Sequence, residues 1–253
     1  MAHVFRVNRI DSFYDESYFN VRYYQIERTL DQVTNSPIFN TSEYQIELCG
    51  DNYPFDNIEF LDRSGLRDQV YCPLNQDYSI SGSFSNTVYR YVEIKVNKCN
   101  NSTYEGNCKP IDEIDQILTS GDFSIGLQNR YIDFDDYDNP IKTYLKNQVS
   151  YRILKNFHKV ISLPLRKSDY NLQDNYIHTY ISEEGSYYSI EKEHIDIREL
   201  EDDTVLTVQI TQDPAVNKYE RSVYTFLDMT GQIGGLYEIL TIFASLLVQN
   251  AIK

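Results

Sequence analysis

The chain has 253 residues, 41% hydrophobic and 24% charged, which supplies enough apolar material for a packed core and excludes global disorder. With 38 acidic against 23 basic residues, the formal net charge is -15; that excludes a general nucleic-acid binder, which needs a basic face to displace counterions from phosphates. The 23 tyrosines, the absence of tryptophan and the scarcity of alanine favour strands and loops over helices.

Along the chain, Met1–Arg6 leads into no apolar h-region, so no signal peptide is expected, and a lumenal placement then asks for a membrane segment upstream. Period-two alternation predicts strands over 3–9, 20–28, 43–49, 56–61, 78–84 and 87–98. The last is the clearest: Tyr89, Tyr91, Glu93 and Lys95 alternate with Val88, Val92, Ile94 and Val96. A short helix is expected after Pro110, a residue suited to a helix start, with Ile111, Ile114, Ile117 and Leu118 as its apolar face and Gly121 past its end. Further strands are expected over 122–134, 149–155, 159–165, 176–182, 187–196 and 203–211, punctuated by Asp-Asn, Asn-Pro, Ser-Gly and Glu-Gly turns. The polar stretch 165–176 reads as a connection and a candidate boundary. No internal repeat is present. The fold class expected is mainly β, a β-rich α+β protein. An antiparallel, sandwich-like body over residues 1–218 is followed by one long C-terminal helix over 219–253.

Four cysteines, Cys49, Cys72, Cys99 and Cys108, allow three pairings. Cys99 and Cys108 flank the polar segment Asn100–Asn107, the tip of a loop that a bridge closes easily, which leaves Cys49 with Cys72. Buried free thiols are the other reading. Zinc is a third, but no C-x-x-C spacing or nearby histidine pair accompanies it. The same loop carries two overlapping glycosylation sequons, at Asn100 and Asn101, and Asn40-Thr41-Ser42 is a third. Disulfides, sequons and acidic balance together point to an extracellular or lumenal compartment, since cytoplasmic segments of membrane proteins favour Lys and Arg.

From Val223 onward the apolar spacing turns helical, and from Ile239 to Val248 the residues are apolar or small on every side. Two readings follow: the start of a membrane span, or a buried core helix. The span is favoured, with Leu240, Ile242, Phe243, Leu246, Leu247 and Val248 left exposed on the isolated chain. The uninterrupted stretch is shorter than the ~20 residues that cross a bilayer. Gly231, Gly234 and Gly235 leave one face of the helix bare for close packing against a second copy or an upstream membrane helix. In the buried-helix reading, the glycines mark a break between two helices.

The stretch Tyr224–Tyr237, with its D-x-x-G-x-I-G-G-L pattern from Asp228 to Leu236, resembles a signature of ciliate two-span transmembrane proteins, as does the lead-in Tyr219–Tyr224. The resemblance covers about 20 of the 253 residues. It implies a β-rich, non-cytoplasmic domain between two membrane helices, with the signature opening the second. The Gly-Gly pair also resembles the start of the second span in epithelial-type sodium channels and acid-sensing channels. The cysteine-rich ectodomain of those channels is missing, so channel function is not carried over.

No G-x-S-x-G, P-loop, G-x-G-x-x-G or H-E-x-x-H motif is present. His3, His158, His178 and His194 are scattered without metal spacing, and no catalytic residue, cofactor or metal is assigned. The cluster Asp133, Asp135, Asp136, Asp138 is read as a solvated acidic loop, with Ca²⁺ as the other possibility. The function expected is a non-enzymatic extracellular or lumenal domain of a membrane protein, in adhesion, sensing or assembly. Its partners would be the membrane, through the C-terminal helix, and a second copy or an upstream helix; no nucleic acid is expected. The alternatives are a soluble intracellular β-rich interaction protein with a buried C-terminal helix and, further off, a lumenal carbohydrate-acting enzyme or a channel-like ectodomain.

Overall fold

The computed structural model describes residues 2–7, 11–31, 33–34, 36–49, 70–74, 77–102, 107–177 and 182–251. The expected strand over 56–61 lies outside them. In chain order the strands are β1 (Ala2–Val7), β2 (Asp11–Ser12), β3 (Phe19–Leu30), β4 (Pro37–Tyr44), β5 (Ile46–Leu48), β6 (Tyr71–Pro73) and β7 (Val88–Lys98). Helix α1 (Ile111–Ser120) follows, then β8 (Gly121–Ile132), β9 (Ile141–Arg152), β10 (Phe157–Gln173), β11 (Glu183–Ile190), β12 (His194–Glu199), β13 (Thr204–Ser222) and helix α2 (Phe226–Ala251). The protein is therefore the β-rich α+β fold expected, ending in a long helix.

Two sheets carry the body. One has the order β5-β6-β1-β8-β9, with β2 beside β1; the other has the order β11-β10-β13-β7-β3-β4, with β12 beside β10. Each pair whose register is described is antiparallel, as in the β3–β7 ladder from Phe19↔Lys98 to Thr29↔Val88. Alternation explains the burial. Val92, Ile94 and Val96 of β7 face inward with Val21 and Tyr23 of β3 and Val208 and Ile210 of β13. They meet Phe123, Ile125 and Leu127 of the other sheet in one core.

The expected short helix is present. Ile114 and Leu118 are buried in that core, while Ile111 turns out to solvent. Its Cα spacing brings only one stripe inward.

The chain divides into two units: residues 1–131, 141–167 and 188–216 form the first, and residues 132–140, 168–187 and 217–253 the second. Both sheets and the core just described draw mainly on the first unit. Strands β10 and β13 each contribute residues to both.

Several expected boundaries need correction. Residues 78–84 are irregular apart from a single bridge, Ser81↔Arg90. Gly82 sits there at φ 73°, where a Cβ would come within 2.5 Å of the Val88 carbonyl oxygen; only glycine fits. The polar stretch 165–176 is no connection, because β10 runs through it to Gln173. Arg166, which made it look like a loop, is neutralised in the sheet by Asp213 and Glu191, with Nη2–Oδ2 and Nη1–Oε2 separations of 2.6 and 2.5 Å. The strand expected over 176–182 is not seen in its described part; the strand begins at Glu183. Strand β9 begins at Ile141, well before the expected 149, and β13 continues to Ser222 rather than ending near 212.

Candidate functional site: the root of the C-terminal helix

The second unit fixes the start of α2. Its polypeptide turns from β13 into the helix through Arg221-Ser222-Val223-Tyr224-Thr225. Arg221 is a buried guanidinium with every edge used. Its Nε donates to Asp174 Oδ1 at 2.8 Å and its Nη2 donates to Oδ2 of the same carboxylate. Its Nη1 donates to the carbonyls of Phe134 and Asp136 at 3.0 and 3.2 Å. Its Cζ lies over the Tyr137 ring, 4.3 Å from the centroid. The fork geometry of arginine suits such bidentate, stacked contacts.

Backbone bonds continue the anchorage. Val223 N donates to Gln173 O at 3.1 Å, and Phe226 N, an amide that a helix start leaves unpaired, donates to Tyr176 O at 2.8 Å. Thr225 and Asp228 then close a reciprocal cap. Asp228 N donates to Thr225 Oγ1 at 3.1 Å, and Thr225 N and Oγ1 donate to Asp228 Oδ2 at 3.0 and 2.6 Å. The Thr225 hydroxyl, and then its amide, hold the Asp228 carboxyl below its ordinary range. The helix positive end favours the same charge. The pattern Thr225-x-x-Asp228 is legible in sequence; Arg221 and its partner Asp174, 47 residues away, are not.

The acidic loop belongs to this root. Asp133 Oδ1 accepts from Asp135 N, and Asp136 Oδ1 accepts from Asp138 N and Asn139 N, at 2.9–3.1 Å. The carboxylates shape their own turn, and Arg221 takes the two carbonyls a hard cation would seek. Among the described residues no cluster of three or more His, Cys, Asp or Glu side chains is gathered for a metal.

Beyond the root, every described side chain of α2 from Phe226 to Ser245 is exposed. Leu240, Ile242 and Phe243 keep 58, 59 and 62% of their surface in solvent; Leu246, Leu247 and Val248 lie outside the described side chains. Gly231, Gly234 and Gly235 have open space where a Cβ would be. The buried-helix alternative is therefore corrected over the described length. Among the described residues no helix is long and apolar enough to cross a membrane. Asp228, Gln232, Glu238 and the glycines dilute the apolar run over its first half.

Both disulfides are present as expected. Cys49–Cys72 and Cys99–Cys108 are bonded, with Cα separations of 5.0 and 5.5 Å. Cys99 packs into the core, so this bridge ties the loop after β7 to the interior. The sequon asparagines differ in setting. Asn40 is exposed on β4, Asn100 is half-buried and Asn101 is exposed. In the second unit an open groove of about 490 Å³ lies across Tyr170, Gly185 and Tyr219.

A family model described as "Uncharacterised 80 kDa protein N-terminal domain" matches residues 4–213, the body ahead of the helix root. No curated protein and no solved structure matches the chain.

Proposed function

We propose that this chain, which belongs to the uncharacterised 80 kDa protein N-terminal domain family, acts as a non-enzymatic extracellular or lumenal domain of a membrane protein, in adhesion, sensing or assembly. The observation that carries the reading is α2: capped at its root by Thr225 and Asp228, yet rich in large apolar side chains that all stay uncovered along its described length. Each large apolar side chain is worth ~1.5–3 kcal/mol when removed from water, so leaving Leu236, Ile239, Leu240, Ile242 and Phe243 wet together is strongly unfavourable. Exposed apolar side chains in this number fit an environment that covers them, namely lipid, another helix or both. The reading asks α2 to enter such an environment, not to cross a bilayer by itself. Two disulfides support an oxidising compartment. The resemblance of Asp228–Leu236 to the membrane-entering signature of ciliate two-span proteins supports the same orientation.

Alkaline carbonate extraction of the parent protein from its own cells tests this. Wild type is expected in the membrane pellet, and the paired change Leu240→Asp and Phe243→Asp is expected to release it. Recovery of the wild-type protein in the soluble fraction sinks the membrane reading.

A further inference from the structure

We infer that Asn40 and Asn101 are glycan acceptors and that Asn100 is not, an inference that rests on the lumenal or extracellular reading above. In N-linked transfer, Nδ2 attacks C1 of a polyprenyl-diphosphate-linked oligosaccharide. A C1–N bond forms, the bond from C1 to the diphosphate breaks, and the nitrogen gives up one proton while keeping one N–H. The product carries a bulky hydrophilic chain on Nδ2, so the folded protein accepts it only where that nitrogen faces water.

The overlapping sequons present two neighbouring amides with opposite surroundings. Asn100 has both ends of its amide engaged. Its Nδ2 donates to Asp203 Oδ2 at 2.7 Å across 103 residues of sequence, and its Oδ1 accepts from Ser102 N at 2.9 Å. Asp203 is itself fixed, because its carbonyl accepts from Lys98 N at 2.8 Å. A saccharide on Asn100 Nδ2 would have to grow into this contact between the end of β7 and the start of β13. Asn101 is anchored by the other end. Its Oδ1 accepts from Cys108 N at 2.9 Å, beside the Cys99–Cys108 bridge, and Nδ2 has no bonded partner among the described residues. A carbonyl held on an otherwise exposed side chain leaves the nitrogen for a glycan.

Asn40 shares the exposure of Asn101 in a different place. It lies on β4, which pairs with β3, Asn40 opposite Glu27, and among the described residues stands at the end of its sheet. Ile38 and Phe39 are exposed on the same strand. An extended edge with apolar side chains invites pairing with another chain. A glycan in the middle of β4 would block that approach, which gives the modification at Asn40 a physical purpose.

The test uses the full chain directed through the secretory pathway of eukaryotic cells, and, in parallel, the parent protein from its own cells. Peptide N-glycosidase in ¹⁸O water converts each glycosylated Asn to labelled Asp, and mass spectrometry of reduced, alkylated peptides assigns the sites. Label is expected at positions 40 and 101 and not at 100. Asn101→Gln, which retains the carbonyl anchor, is expected to lose one glycan mass from the secreted protein, and Asn100→Gln to lose none. Label at 100, or absence of label at 40 or 101 in the secreted chain, overturns the inference. Secreted chain labelled as expected, with an unglycosylated parent in its own cells, overturns the compartment reading instead.

Discussion

Arg221 grips Asp174 at two points, Nε to Oδ1 at 2.8 Å and Nη2 to Oδ2, from the strand that feeds α2. The same guanidinium holds the carbonyls of the acidic loop, so one side chain couples the 133–140 turn, the end of β10 and the helix root. The hydrogen bond to Asp174 raises the Arg221 pKa above its already high ordinary value, and the charge is permanent.

Removing one partner of a pair this buried leaves the other uncompensated, which costs about 3–5 kcal/mol when both are fully enclosed. Asp174 retains a quarter of its side-chain surface, 25%, so Arg221→Gln is expected near the lower end, about 3 kcal/mol. Arg221→Lys is expected to recover little of this, because an ammonium cannot serve Asp174, Phe134 and Asp136 together. Urea denaturation measures the loss. Hydrogen exchange should show the protection of residues 133–139 and 223–229 falling together. Unchanged exchange in both segments of Arg221→Gln would contradict the role given to this residue.

How far the sequence anticipates these features depends on whether the cause is local. Strand β7 was readable because Val92, Ile94 and Val96 alternate with polar neighbours, and α1 because Ile114 and Leu118 fall one turn apart. The cysteine pairing followed from a short polar loop. Strand β10 was cut short at 165 because Arg166, Lys167 and Asp169 look like loop residues. Only the fold supplies Asp213 and Glu191 to Arg166. Arg221 is one of 23 basic residues, and nothing nearby in sequence marks it as the one that finds Asp174. Long-range polar pairing leaves no periodic trace, whereas burial does.

The disulfides differ in the loop they close. Their sequence separations are 9 for Cys99–Cys108 and 23 for Cys49–Cys72. Chain-entropy reasoning gives ~2.5–3 kcal/mol for the shorter loop and ~3–3.5 kcal/mol for the longer. Replacing both members of each pair by Ser should therefore destabilise the protein in that order, with the Cys49–Cys72 deletion the more costly. Thiol titration of the native protein should find no reactive thiol, and four after reduction in denaturant. A native protein with free thiols would remove the main support for an oxidising compartment.

His158 supplies a pH dependence with a definite sign. Its Nε2 lies 2.8 Å from Thr207 Oγ1. Burial, the largest cause, pushes its pKa below the ordinary histidine value, with Asp202 pulling the other way. The unfolded chain then takes up the proton more readily than the folded one. The stabilisation is complete above pH ~6.5 and is lost as pH falls through the folded pKa. Only four histidines are present, so imidazole NMR resonances can be followed individually. One is expected to titrate with a midpoint below ~6.5 and to disappear in His158→Gln, which should also flatten the fall in stability as pH drops below about 6.5. A midpoint at or above the ordinary value would reverse the sign.

Asn129 performs a backbone's role with a side chain. It is almost completely buried on β8, its Nδ2 donates to Ile190 O at 3.0 Å, and Ile190 N donates back to its Oδ1 at 3.1 Å. This two-way exchange copies one rung of an antiparallel ladder, and Nδ2 also donates to Tyr144 Oη at 3.1 Å. Leucine at this position keeps the branched heavy-atom outline but donates and accepts nothing, so Asn129→Leu is expected to cost about 1–3 kcal/mol in urea denaturation. Asn129→Asp is expected to be worse at neutral pH, because it sets a carboxylate oxygen against the Ile190 carbonyl in a buried site. Acidification should narrow that difference, since the protonated carboxyl regains one donor for Ile190 O. The pH dependence separates this mechanism from a simple packing defect, which would affect both variants equally at every pH. If Asn129→Leu unfolds within about 0.5 kcal/mol of wild type, the exchanged pair contributes nothing measurable and β8 is held by its backbone ladder and apolar neighbours.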